Sequence, residues 1–128
     1  MNILVIIPAR GGSKGIPRKN LRLLNGKPLI YYAIKTALSS KFNLDVYVSS
    51  EDDEILNTAI GFGAKIHKRD ISIADDKSTL DPVIYACFEY AKEEEQKEYD
   101  YIITMQPTSP LLKTSSLDSA IEKAILNK

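Results

Sequence analysis

Five consecutive apolar residues, Ile3-Leu4-Val5-Ile6-Ile7, stand near the start of the chain. Side chains alternate between the two faces of a strand, so such a run needs cover on both sides. A central strand of an α/β sheet meets that need. The segments that follow alternate in kind. The spacing predicts a helix over 28–39, where Ile30, Ala33/Ile34 and Ala37/Leu38 recur at helical period and Pro28 suits the first turn. Residues 44–49 read as a second strand. Ser50, with Asp53 three residues on, forms a capping pair for a helix near 52–62 that Gly61 and Gly63 close. A short strand is expected over 64–67. Pro82 opens a helix to about Gln96, with Ile84, Cys87/Phe88 and Ala91 facing inward. Its acidic end, Glu93-Glu94-Glu95, opposes the helix dipole and predicts a frayed terminus. A strand over 100–105 follows, and Ser115 with Asp118 caps a last helix to about Asn127. Polar loops occupy 9–27, 68–79 and 106–114.

Strand–helix alternation with strands about 30 residues apart implies right-handed crossovers. The expected fold is therefore a three-layer α/β domain with a mainly parallel sheet. Ligands in such sheets bind beyond the C-terminal strand ends. The loops 9–27 and 106–114 both follow strands directly, so one crevice can hold both.

Composition narrows the class. Hydrophobic residues make up 44% of the 128 and charged residues 27%, the profile of one ordinary soluble domain. No apolar run approaches the roughly 20 residues that cross a bilayer. The first residues carry no basic region and no small-residue cleavage site, and read as a strand rather than a signal peptide. A single cysteine, Cys87, excludes an internal disulfide and offers no metal cluster. Cytoplasmic residence is the default expectation.

Net charge is zero but unevenly placed. Residues 1–44 hold eight Lys/Arg and no acid, whereas 45–128 hold nine Lys/Arg and all seventeen Asp/Glu. The excess concentrates in Arg10, Lys14, Arg18, Lys19, Arg22 and Lys27. A short positive stretch in a neutral protein suits a compact anion better than a nucleic acid, which asks for a basic domain surface.

The loop Pro8-Ala9-Arg10-Gly11-Gly12-Ser13-Lys14-Gly15-Ile16-Pro17-Arg18-Lys19-Asn20 combines three glycines with several cations. Glycines let backbone N–H groups approach an anion, arginine grips phosphate bidentately, and lysine acts as a mobile point charge. Each charged hydrogen bond contributes about 1.5–3 kcal/mol. A few suffice for nucleotide binding. The loop is neither a Walker A loop nor the dinucleotide pattern G-x-G-x-x-G. On composition alone, a solvated basic surface loop is the alternative.

The string IPARGGSKGIPRKN resembles the opening motif of the acylneuraminate cytidylyltransferases (CMP-sialic acid synthetases) and of relatives that activate legionaminic and pseudaminic acids. Gln106-Pro107-Thr108-Ser109-Pro110-Leu111 resembles the family's second motif, and KRDISIADDKSTLDPVIYA resembles the stretch between them. The likeness runs in order from Ile3 to about Asp118. It implies a Rossmann-like nucleotidyltransferase domain of which 1–128 is the N-terminal, nucleotide-binding part. The implied reaction transfers CMP from CTP to a nonulosonic acid and releases pyrophosphate, with Mg²⁺ (or Mn²⁺) as cofactor.

The resemblance also assigns roles. Arg10 and Lys19 would be catalytic, Arg10 near the phosphates and Lys19 on the charge of the α-phosphate. Ala9 would contact the nucleotide, and Gly11, Gly12, Ser13 and Lys14 would cradle the triphosphate. Asn20 would hold the ribose or the reacting end of CTP. Arg69, with Ser78 or Thr79, would hold the cytosine, and Gln106 would lie near the sugar acid or the cytidine. One departure concerns the sugar: where the family usually has arginine after Pro-Leu, Leu112 and then Lys113 stand here. The family's acidic metal ligands and its dimerisation element are expected beyond Lys128, so a homodimeric full-length form and little activity of this chain alone are expected. No membrane partner is expected.

Other residues carry plainer readings. His67 suits a structural histidine and Cys87 a core residue. Asp75 and Asp76 suit a solvated loop. Glu51-Asp52-Asp53-Glu54 suits compensation of a helix dipole. Tyr31 and Tyr32 cannot both face the core. Competing functions are another sugar nucleotidyltransferase, a GTP-using legionaminate enzyme, a non-catalytic nucleotide-binding fragment, and a phosphate-binding scaffold.

Overall fold

A computed structural model of the protein describes residues 1–11, 19–69, 80–107 and 113–126. Four parallel strands form one sheet: β1 (Ile3–Pro8), β4 (Leu44–Ser50), β5 (Lys65–Lys68) and β6 (Tyr101–Thr104), in the order β5-β4-β1-β6. Every residue of β1 is buried, as the apolar run requires. Its register pairs Val5 with Val46 on one side and with Ile103 on the other.

Helices cover both faces, which makes the three layers. The odd-numbered side of β1 (Ile3, Val5, Ile7) packs with α1 (Leu29–Leu38), α2 (Asp53–Gly61) and α4 (Thr114–Leu126) through Ile30, Ile34, Ile55, Ala59, Leu117 and Ile121. The even side (Leu4, Ile6) packs with Tyr47 and with Cys87 and Ala91 of α3 (Leu80–Glu95). Burying each Ile, Leu or Val of this core contributes roughly 1.5–3 kcal/mol. Among the described residues no helix is long and apolar enough to cross a membrane.

Several local expectations shift. Within 9–27 the chain makes a 3-10 turn, Lys19–Leu21, and a small antiparallel hairpin of β2 (Leu23–Leu24) and β3 (Lys27–Pro28). Asn25 (φ 52°) and Gly26 (φ 80°) form its two-residue turn. Both positions need a left-handed backbone, which Asn-Gly supplies. Pro28 thus ends β3 and precedes α1 instead of lying inside the helix. Asp52, not Ser50, caps α2: its Oδ1 accepts from the N–H of Glu54 (2.8 Å) and Ile55 (3.3 Å). The helix α3 begins at Leu80, before Pro82, and α4 begins at Thr114, before Ser115. The acidic end of α3 is anchored: Glu95 accepts from Lys65 Nζ (2.7 Å) and from the Tyr47 hydroxyl (2.6 Å).

Strands β4 and β5 lie on one side of β1 and β6 on the other, so after β5 the chain crosses back over the sheet and β1 and β6 become neighbours whose connections run to opposite sides. That is the switch point where α/β sheets open a crevice at their C-terminal edge.

Candidate functional site

Four strands deliver their C-terminal ends to one edge. After β1, the Ala9 N–H donates to the Ser49 carbonyl (2.9 Å), so the parallel ladder continues one residue beyond the strand. After β5, the Arg69 N–H donates likewise to the Ser50 carbonyl (3.0 Å). After β6, the Met105 N–H donates to the Ile6 carbonyl (3.0 Å), which sets exposed Gln106 beside the end of β1.

The glycine loop is pinned where it leaves the sheet. The Gly11 N–H donates to Glu51 Oε1 at 2.5 Å. A side chain at Gly11 would drive its Cβ to 2.7 Å from the Cβ of Asp52, the residue held in place as the α2 cap. Glycine is required there by close approach. The loop is pinned again where it returns. Asn20, only 6% exposed, donates from Nδ2 to the Arg10 carbonyl at 2.9 Å. Its Oδ1 is buried with no hydrogen-bond partner among the described residues.

Arg69 is 4% exposed, yet its Nε and Nη2 have no hydrogen-bond partner among the described residues. The nearest acid is Glu51, whose Oε2 lies 3.8 Å from Nη2. Burial pulls the guanidinium below its ordinary value; Glu51 opposes this, and the charge of Arg10 adds to it. Arg10 and Arg69 therefore share one electrostatic environment. Beneath them Ser49 Oγ and His67 Nδ1 are 2.9 Å apart, and the His67 ring lies 4.9 Å from that of Tyr90. Burial, then the charge of Arg69, lowers the proton affinity of His67. Burial pushes the Cys87 thiol up to about 12, against the pull of Arg69 and Ser49. Both read as structural, as expected. Tyr31 and Tyr32 are half-buried and meet edge to face, with the Tyr32 hydroxyl donating to the Leu24 carbonyl.

Of the residues singled out in the sequence, Ala9, Arg10, Gly11, Lys19, Asn20, Arg69 and Gln106 lie at or beside this edge. Gly12, Ser13, Lys14, Ser78 and Thr79 lie outside the described residues, as do Asp75 and Asp76. Two residues that sequence reasoning assigned to a helix dipole, Glu51 and Asp52, also belong to the edge. Their position directly after a strand, on the same side as the glycine loop, is the signal that finds them. Among the described residues no group of three or more His, Cys, Asp or Glu side chains is placed to hold a metal ion. The described part of the edge, with Arg10, Lys19 and Arg69, suits an anion instead.

The family model described as Cytidylyltransferase matches residues 4–128. The pseudaminic acid cytidylyltransferase of Campylobacter jejuni serotype O:2 is 43% identical, over 100% of this chain and 55% of that protein. N-acylneuraminate cytidylyltransferase A of Danio rerio is 40% identical, over 94% of this chain and 27% of its own length. The chain thus spans about half, or less, of the curated relatives it matches. Among solved structures, a CMP:2-keto-3-deoxy-manno-octonic acid synthetase complexed with CTP superposes with a TM-score of 0.77. It shares 24% identity, over 96% of this chain and 47% of that one, and is similar in fold.

Proposed function

The chain belongs to the cytidylyltransferase family, and from that premise we propose that residues 1–128 form the nucleotide-binding part of an enzyme transferring CMP from CTP to a nonulosonic acid. The observation that carries the reading is the pair of ties that flank the glycine-rich stretch, Gly11 on Glu51 and Asn20 on the Arg10 carbonyl, beside a buried arginine whose Nε and Nη2 have no hydrogen-bond partner among the described residues.

Each residue then has a task. Arg10 and Lys19 oppose charge on the α-phosphate as the sugar hydroxyl attacks in line and pyrophosphate departs. The loop of Gly11, Gly12, Ser13 and Lys14 cradles the triphosphate, with Ala9 against the nucleotide. Asn20 Oδ1, a buried acceptor with no donor among the described residues, suits a ribose hydroxyl. Arg69, with Ser78 or Thr79, holds the cytosine through Nε and Nη2. Gln106, at the neighbouring strand end, faces the sugar acid or the cytidine. A divalent ion, Mg²⁺ or Mn²⁺, when bound supplies neutralisation of the triphosphate charge. The full-length enzyme is a cytoplasmic homodimer in this reading, and this part alone turns over little or no substrate.

Relatives named for pseudaminic acid (43% identical) and for N-acylneuraminate (40% identical) both support a nonulosonic acid as the acceptor class. A GTP-using legionaminate enzyme is the second reading, and the two nucleotides separate them.

Calorimetric titration tests the proposal. CTP should bind more tightly than GTP. Lys19→Ala should weaken CTP about tenfold or more, the loss of one charged hydrogen bond, and should weaken cytidine far less. Equal CTP affinity for Lys19→Ala, Lys14→Ala and the unchanged chain would reduce the loop to a scaffold.

A further inference from the structure

Glu51 follows β4, the strand that lies between β1 and β5. It therefore stands between the root of the glycine loop and Arg69. Its two carboxylate oxygens serve different partners. Oε1 accepts the Gly11 N–H at 2.5 Å, and Oε2 lies 3.8 Å from Arg69 Nη2. The second separation decides the reading. A carboxylate that exists only to neutralise a buried arginine closes on it at about 2.7–2.9 Å and satisfies its donors. Here Oε2 stands off from the guanidinium at ion-pair distance, and Nε, Nη2 and Oε2 have no hydrogen-bond partner among the described residues. Buried polar groups are rarely left so, and an incomplete pair at a strand-end crevice is arranged for a third party.

We propose that Glu51 is a positioning residue that couples the phosphate-binding loop to the base-binding arginine, so that the two halves of the nucleotide site are set relative to each other before the nucleotide arrives. The proposal rests on the nucleotide reading above and adds Glu51 to it. Through Oε1 the carboxylate orients the backbone where the loop leaves the sheet. Through Oε2 it keeps Arg69 in place against the charge of Arg10 without consuming the donors that meet the ligand.

The test compares the unchanged chain with Glu51→Gln and Glu51→Asp. Glu51→Gln keeps size and an acceptor for Gly11 but removes the charge opposite Arg69. CTP titration well below the melting temperature should show affinity at least tenfold weaker for Glu51→Gln, and recovered to within about threefold by Glu51→Asp. A residue that only supports folding would lower the melting temperature and leave the affinity of the folded chain alone. Glu51→Gln binding CTP within twofold of the unchanged chain overturns the proposal. In the ligand-free chain, the amide resonance of Gly11 and the side-chain Nε–H resonance of Arg69 should both shift in Glu51→Gln. If neither moves, the clip is absent, whatever the nucleotide result. If both move and the unchanged chain binds no CTP, the clip stands and the nucleotide reading falls.

Discussion

A methyl group on Gly11 would press on Asp52, and Asp52 has little room to retreat because two α2 amides hold its carboxylate. Gly11→Ala should therefore cost about 2 kcal/mol, the usual penalty of forced overpacking. Urea unfolding measures it, and unchanged stability would show that the helix cap yields. At this scale the sequence was legible where chemistry and motif coincide. Arg10, Asn20 and Arg69 were named from their strings and lie at the edge that a sheet of this kind uses. Glu51 was not, because four consecutive acids before a helix look alike on paper. Glu51 accepts the Gly11 N–H, and that depends on which strand is its neighbour.

The α3 terminus carries an avoidable cost. Gln96, the first residue after the helix, adopts φ 51°, and Lys97 N–H returns to the Lys92 carbonyl at 3.3 Å. That is the left-handed closure normally given to glycine. A side chain there costs roughly 1 kcal/mol, so Gln96→Gly should raise stability by up to about that amount in a thermal or urea melt. A fall would show that the Gln96 side chain makes a compensating contact. The same terminus shows why a local rule failed. Dipole repulsion predicts fraying for Glu93-Glu94-Glu95, yet Glu95 meets Lys65 and Tyr47 from two different strands. The hairpin turn at Asn25-Gly26 was the opposite case, a strong local signal hidden inside a stretch read as loop because only two residues on each side pair.

Across the whole molecule, stability should depend on pH in two stages. His67 is the chain's one histidine, and burial, then the Arg69 charge, holds it below its ordinary value. As pH falls through about 6.5, the unfolded chain takes up a proton that the native state resists, so stability declines toward the lower native value. The second stage belongs to a network joining β4, β5, α3 and the turn before β6. Hydrogen bonds from Lys65 and Tyr47 lower Glu95. Burial raises Asp45, but hydrogen bonds from Lys97 and Tyr99, with the charge of Lys65, outweigh it and leave it lowered. Their stabilisation is complete above about pH 4 and is lost as pH falls through their native values. Melting temperature against pH should therefore fall first near neutrality and again below pH 4. His67→Gln should flatten the first decline and Asp45→Asn the second. No decline above pH 5 in the unchanged chain would remove His67 from the account.

From its residues alone, the chain could be read as alternating strands and helices around a doubly buried first strand, with a cationic glycine loop at that strand's end. Those properties are local: apolar period, turn chemistry and charge within a dozen residues. Only the tertiary structure decided that Gly11, Glu51 and Arg69 meet, and that Asp52 forbids a side chain at Gly11. Forty residues separate Gly11 from Glu51, and their contact exists because parallel pairing in the order β5-β4-β1-β6 brings three strand ends side by side. Strand order is set by how the helices pack on both faces of the finished sheet, which no single segment encodes.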